Sequence, residues 1–227
     1  MSHPLDRPLW NALTGRLSHL AIGDERAVRL DPEVGVFAAA ASGVAQDQAA
    51  LAVLIRRHPG AGLIELEGSP LNRPPPGIEI VVASLCVQMT CSSLTGGASG
   101  DLEVVSLDEA DAAEMLALAT LTKPGPFRSR THTLGGFIGV RREGRLAAMA
   151  GRRMRLGGHS ELSGVCTHPD FRGLGLASAL SRRVVEGILA DGETAYLHAY
   201  ASHDATVALY ESLGFRTRAR VIYTVTA

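Results

Sequence analysis

Lysine is almost absent from this chain. Lys123 is the only one, and arginine supplies the rest of the 22 basic side chains. They face 23 acidic ones for a formal net charge of −1, so the totals imply no basic face for nucleic acid. Cysteine is scarce too: Cys86, Cys91 and Cys166 are an odd set, too few for a disulfide framework, and are expected as reduced thiols. No stretch approaches the roughly 18 unbroken apolar residues that a bilayer span needs. The first ten residues, MSHPLDRPLW, lack a basic segment followed by an apolar core, which argues against a signal peptide. These absences lead us to expect a soluble cytoplasmic protein, monomer or homodimer, with neither a membrane nor a nucleic acid as partner.

What is present suits a globular core. The 227 residues are 46 % hydrophobic and 20 % charged, enough for one large domain or two small ones. Residues 8–20 place Leu9, Leu13, Leu17 and Leu20 at helical spacing, and residues 46–58 read as a second helix ending before Pro59-Gly60. Strands are expected at 27–30, 35–40, 62–67 and 78–88. CSSLTGGASG, residues 91–100, is small, polar and without periodicity, and is the best linker in the chain. Beyond it the order expected is β-α-(α)-β-β-β-α-β-α-β, with a hairpin at Glu143-Gly144 and a closing strand at 215–225. The fold class is therefore α/β in the α+β sense, a mixed sheet with helices on its faces. Two units are expected, residues 1–98 and 99–227.

The densest signal is VCTHPDFRGLGLASAL, residues 165–180. An apolar strand ends, a His-Pro break follows, and a glycine-rich turn opens a helix. The first turn of a helix exposes N–H groups without internal partners, and its dipole adds positive charge there. Glycine and alanine let a phosphate approach those groups closely. GxxxxGK[ST] is absent, which disfavours a nucleotide triphosphatase loop. GLGLAS fails the GxGxxG dinucleotide fingerprint, and the elements around it are wrong for that fold. The remaining reading is the acyl-CoA pattern [R/Q]-x-x-G-x-[G/A], filled by Arg172, Gly175 and Ala177.

Here the sequence resembles the GNAT superfamily of acyl-CoA N-acyltransferases. VCTHPDFRGLGLA resembles the family's strand, bulge and pyrophosphate loop, and ALYESLGF, residues 208–215, its closing helix. The two-part layout is similar to the FR47-like branch, related to glycine N-acyltransferase-like proteins, which implies two tandem GNAT-like units with the N-terminal one degenerate. The resemblance implies acetyl-CoA as co-substrate and transfer of an acetyl group to an amine. That amine belongs to a small molecule, a protein N-terminus or a side chain. A non-catalytic acyl-CoA-sensing or interaction module is the alternative.

The resemblance also assigns residues. Backbone groups of Val165, Cys166 and Thr167 would pair with the pantetheine arm. The N–H groups of Arg172, Gly173, Leu174, Gly175, Leu176 and Ala177 would take the pyrophosphate. Tyr210 matches the tyrosine that protonates the coenzyme A sulfur, a sensible donor with an unperturbed pKa near 10. Where family members commonly carry an asparagine on the pantetheine arm, this chain has His203. Glu161 is the candidate general base, acting through water, with His198 second. His132 and His198 are candidate substrate contacts. Cys166-x-His168 and Cys86/Cys91 lack a four-ligand set, so no metal is expected.

Overall fold

The computed structural model describes residues 3–97 and 102–227. Five α-helices pack on two sheets. The smaller sheet has three antiparallel strands, β1 (Ala21–Gly23), β2 (Ala27–Leu30) and β3 (Ala38–Ala40), after helix α1 (Pro8–Leu13). Helix α2 (Ala45–Arg57) covers it, burying Leu51 and Ile55 beside Ala27, Ala38 and Ala40. The helix expected over 8–20 stops at Leu13 and resumes only as a 3₁₀ turn at Ser18–Leu20. A side chain at Gly15 would sit 2.7 Å from the Asn11 carbonyl oxygen.

The larger sheet has eight strands: β4 (Gly62–Leu66), β5 (Ile80–Cys91), β6 (Val105–Ser106), β7 (Ile138–Arg142), β8 (Arg145–Leu156), β9 (His159–Thr167), β10 (Thr194–Tyr200) and β11 (Arg216–Thr226). Their order across the sheet is β4-β11-β5-β10-β9-β8-β7-β6. Only β9 and β10 run parallel among the paired neighbours. Helices α3 (Ala112–Thr122), α4 (Leu176–Ala190) and α5 (Asp204–Ser212) complete the fold. On β8, Met149 packs with Met115 and Leu118 of α3, while Ala148 and Ala150 pack with Leu180, Val184 and Ile188 of α4. The period-2 alternation of a strand thus puts the two helices on opposite faces. Burial of each of the leucine, valine, isoleucine and methionine side chains among them contributes about 1.5–3 kcal/mol.

Strand β5 comes from the first half of the sequence, yet it lies between β10 and β11 of the second. The break expected near 91–100 runs into residues 98–101, which lie outside the described residues. The chain on either side of it contributes to one sheet.

Two bulges shape the centre of this sheet. Between the pairs Met149↔Cys166 and Gly151↔Ser163, β9 carries one residue more than β8, with Gly164 at φ +65°. Between Arg152↔Leu162 and Arg155↔Ser160 the surplus is on β8, so Arg153 and Met154 both lie opposite Glu161. A Cβ on Gly164 would meet Phe137 at 2.9 Å, on a backbone that L-residues rarely adopt. Gly164→Ala is expected to lower the unfolding free energy by about 1–3 kcal/mol in urea titrations.

Candidate functional site

The parallel pairing of β9 with β10 is short. It runs from Thr194↔His159 to Tyr196↔Glu161 and ends there, so the strands diverge through Val165 on one side and Tyr200 on the other. The bulge at Gly164-Val165 pushes the free part of β9 outward. The result is a V-shaped gap in a continuous sheet, open at the C-terminal ends of the parallel pair.

The glycine-rich turn sits at the outer edge of this gap. Gly173 and Gly175 have φ of +79° and +72°, values that cost glycine nothing, and Gly175 is the N-cap of α4. The first intrahelical acceptor, the Gly175 carbonyl, is taken by Ala179 N–H at 3.0 Å. The preceding N–H groups of the first turn are thus free of the helix ladder. They open on a cleft of about 420 Å³ lined by Val165, Cys166, Thr167, Arg172, Gly173, Gly175, Leu176, Ala177 and Ser178, with Thr122 and Pro124 opposite. Leu174, expected among the pyrophosphate contacts, is not on that wall and is 62 % exposed. Cys166 is a wall residue whose thiol burial pushes up to about 11, which leaves it un-ionised at neutral pH.

A second cavity, of about 270 Å³, continues on the other side of Val165 and Pro124, which belong to both. His198, Tyr200, His203, Thr206 and Tyr210 line it from β10 and α5, and Phe37, Ile64 and Cys86 from the first half of the chain. Arg153, Lys123 and Tyr223 complete its polar wall. Burial pushes the Tyr210 phenol up to about 12, so it carries its proton at neutral pH. The His203 ring lies 5.1 Å from that of Tyr200, in this second cavity and not in the first.

The floor is a chain of polar contacts crossing five adjacent strands. Arg153 on β8 grips Glu161 on β9 with two bonds, Nε to Oε2 at 2.8 Å and Nη2 to Oε1 at 2.7 Å. The Met154 N–H adds a third at 3.3 Å, a consequence of the β8 bulge. His198 Nδ1 donates to Glu161 Oε1 at 2.8 Å. Gln88 of β5, directly opposite His198, holds the other ring nitrogen at 3.2 Å. Arg218 on β11 donates to Gln88 Oε1 at 2.7 Å, and Gln88 Nε2 donates to the Leu5 carbonyl at 2.9 Å. Those two bonds orient the amide, so its NH₂ donates to His198 Nε2 and the ring keeps its proton on Nδ1. Burial alone would raise the Glu161 pKa, but the charge and bonds of Arg153, with the bond from His198, hold it below the usual carboxylate range.

This geometry corrects the expectation of a general base. Glu161 is 1 % exposed, lines neither cavity, and has both oxygens bound. His198 lines the second cavity, but its Nε2 lone pair is engaged by Gln88. A fully satisfied buried network of this kind fixes shape and leaves no vacant site for a proton. His132 is corrected as well. It lies in a 3₁₀ turn with Nε2 on Glu109 Oε2 at 2.7 Å and lines neither cavity. Sequence reasoning missed Gln88 and Arg153, which only the insertion of β5 and the β8 bulge bring into one network, and Lys123 and Tyr223, which line the second cavity from the end of α3 and from β11. A polar Gln88 amid the apolar run of β5 was the one signal available.

Among the described residues, no group of three or more His, Cys, Asp or Glu is placed to hold a metal ion. None of their helices is long and apolar enough to cross a membrane.

Comparison with known proteins follows the same geometry. The family model of FR47-like protein matches residues 137–224, from β7 through most of β11. A search of the curated proteins found no match. Among solved structures, an inferred acetyltransferase of the GNAT family from Novosphingobium aromaticivorans is 44 % identical, with a TM-score of 0.90, over 100 % of this chain and 99 % of that one. A GCN5-related N-acetyltransferase from Kribbella flavida shares the fold at 18 % identity and a TM-score of 0.65, over 96 % of this chain and 93 % of that one. The splayed parallel pair, the glycine-opened helix and this end-to-end likeness lead to one conclusion: the chain belongs to the GNAT family.

Proposed function

We propose that the protein is an acyl-CoA-dependent N-acetyltransferase of the FR47-like branch, passing an acetyl group from acetyl-CoA directly to an amine. The observation that carries this reading is the splay of β9 from β10, which joins a cleft at a helix N-terminus to a separate cavity through Val165 and Pro124. The cleft suits a pyrophosphate and pantetheine arm, with the arm alongside Val165, Cys166 and Thr167. The second cavity suits the acceptor. In this reading residues 3–97 are a reduced GNAT-like unit, without a glycine-rich loop, that supplies one wall of the acceptor cavity.

The chemistry needs few parts. A neutral amine attacks the thioester carbonyl, a C–N bond forms, and a backbone N–H near Cys166 supports the oxyanion. The C–S bond then breaks, the thiolate takes the Tyr210 proton, and the nitrogen's surplus proton returns to the phenolate through water. Glu161 and His198 position the cavity floor and do not take the amine's proton. Turnover at low acceptor concentration therefore rises with pH towards the acceptor's own pKa, about 10 for an alkylamine.

Calorimetry with acetyl-CoA, paired with assay of free thiol in an amine library, tests the reading. Binding is expected, with about 2.7 kcal/mol of added stability at 100 times the dissociation constant. Absence of binding at millimolar coenzyme overturns the assignment, and binding without thiol release on any amine would favour the sensing module.

A further inference from the structure

One nucleophilic side chain borders the second cavity without a part in the proposed reaction. Lys123 is the sole lysine of the chain, and every basic side chain counted with it is an arginine. A guanidinium stays charged in proteins, whereas a lysine that has shed its proton is a nucleophilic amine. Lys123 is therefore the one side-chain amine in the sequence able to take an acyl group. The fold puts it on the wall of the second cavity, with Tyr210 on the same wall.

Its neighbours in sequence fix where it stands. Thr122 and Pro124 both line the cleft at the start of α4, with Val165, Cys166 and Thr167, while Lys123 and Pro124 both line the second cavity. The chain thus passes from one cavity to the other at Lys123. Its backbone is held on both sides. The Lys123 N–H donates to the Ala119 carbonyl at 2.8 Å, Thr122 Oγ1 donates to the Leu118 carbonyl at 2.7 Å, and Pro124 restricts the next φ. At φ +51° Lys123 takes a C-cap conformation that glycine holds most readily, so a side chain here comes at a cost. The amine itself is uncommitted. Lys123 makes no ion pair among the described residues, and neither aspartate nor glutamate lines the second cavity to claim its nitrogen. The surface hollow that Lys123 also borders offers Arg128 and again no acid.

We propose that Lys123 is an internal acyl acceptor, acetylated on Nζ by acetyl-CoA bound in the same chain. This inference rests on the proposed N-acetyltransferase reading and adds a modification site to it. With no external amine in the cavity, the neutral Nζ attacks the thioester carbonyl, and an N–C bond forms as the C–S bond breaks. The thiolate takes the Tyr210 proton, and the nitrogen's surplus proton returns to the phenolate through water. The products are an acetamide on Lys123 and free coenzyme A. The modified side chain is neutral and longer, and it stays on the wall of the cavity that external amines would enter.

The test incubates the full chain with acetyl-CoA and maps acetyl groups by mass spectrometry over time. An N-terminally blocked peptide of residues 118–128, whose one amine is Lys123, gives the rate of unassisted acetylation. One acetyl group per chain is expected on Lys123, formed about 100-fold faster than in the peptide, since the amine is tethered beside the thioester. Its rate constant is expected to be independent of protein concentration, and excess coenzyme A, which fills the cleft without an acetyl group, is expected to suppress it. A rate equal to the peptide's, one that rises with protein concentration, or one indifferent to coenzyme A overturns internal transfer. Thiol release with external amines while Lys123 stays unmodified overturns this inference and leaves the acetyltransferase reading standing. Failure of acetyl-CoA to bind the protein at all overturns both readings together.

Discussion

Tyr210→Phe is expected to lower kcat by about 100-fold while the dissociation constant for acetyl-CoA stays within about two-fold. The substitution removes one oxygen and keeps the ring, which packs edge-on against Phe215 at 5.7 Å, so the helix and its core contacts survive. In the proposed mechanism the affected step is collapse of the tetrahedral intermediate, where the departing thiolate needs a proton. Burial raises the phenol to about 12, so the donor stays fully protonated across the assay range and its loss cannot be masked by pH. Transient kinetics separate chemistry from coenzyme release, and an unchanged rate of the chemical step removes Tyr210 from the mechanism.

Arg153→Met is expected to cost about 3–5 kcal/mol of unfolding free energy at pH 7, because it strands the buried Glu161 carboxylate. The double variant Arg153→Met, Glu161→Gln recovers part of the loss by removing the uncompensated charge. The pH dependence carries a sign. In the native protein the Glu161 carboxyl lies below its ordinary value of 4.5, so the pair's stabilisation is present above about 4.5 and fades as acid drives the folded group to protonate. In Arg153→Met the two largest opposing effects are gone, burial is opposed only by His198 and the Met154 N–H, and the carboxyl pKa rises. The gap between the two proteins therefore narrows on going from pH 8 to pH 5, as read by denaturant titration. A gap that widens on acidification would show that Arg153 contributes by some route other than Glu161.

Much of the second half was legible before any coordinates. The hairpin at Glu143-Gly144, the strand before the glycine-rich turn, the helix after it and the closing strand are set by local signals: turn residues, period and caps. The same holds for the cleft at the start of α4, since one short stretch of chain builds most of its wall. The N-terminal region was harder. Residues 8–20 carry a good leucine spacing, yet the helix ends at Leu13 and the chain turns at Gly15, where a side chain would crowd the Asn11 carbonyl.

The second cavity and its floor were not legible, and the reason is separation along the chain. Arg153, Glu161, His198, Gln88 and Arg218 lie on five strands whose order in the sheet differs from their order in sequence. Glu161 read alone is an acid on a strand, free to act as a base. Placed opposite a bulge that presents both Arg153 and Met154, it becomes a bound counter-ion. His132 likewise reads as a contact until the fold turns its ring towards Glu109.

By itself the sequence determined the strand-turn-helix around Gly175, because backbone conformation and free N–H groups there depend on nearest neighbours in the chain. It also determined the arginine-rich, lysine-poor character that makes Lys123 unique. Only the tertiary structure decided which side chains line the second cavity, which acids are already neutralised, and that β5 from the first half lies within the sheet of the second. Those properties depend on register and strand order, where one inserted residue turns a side chain to the opposite face.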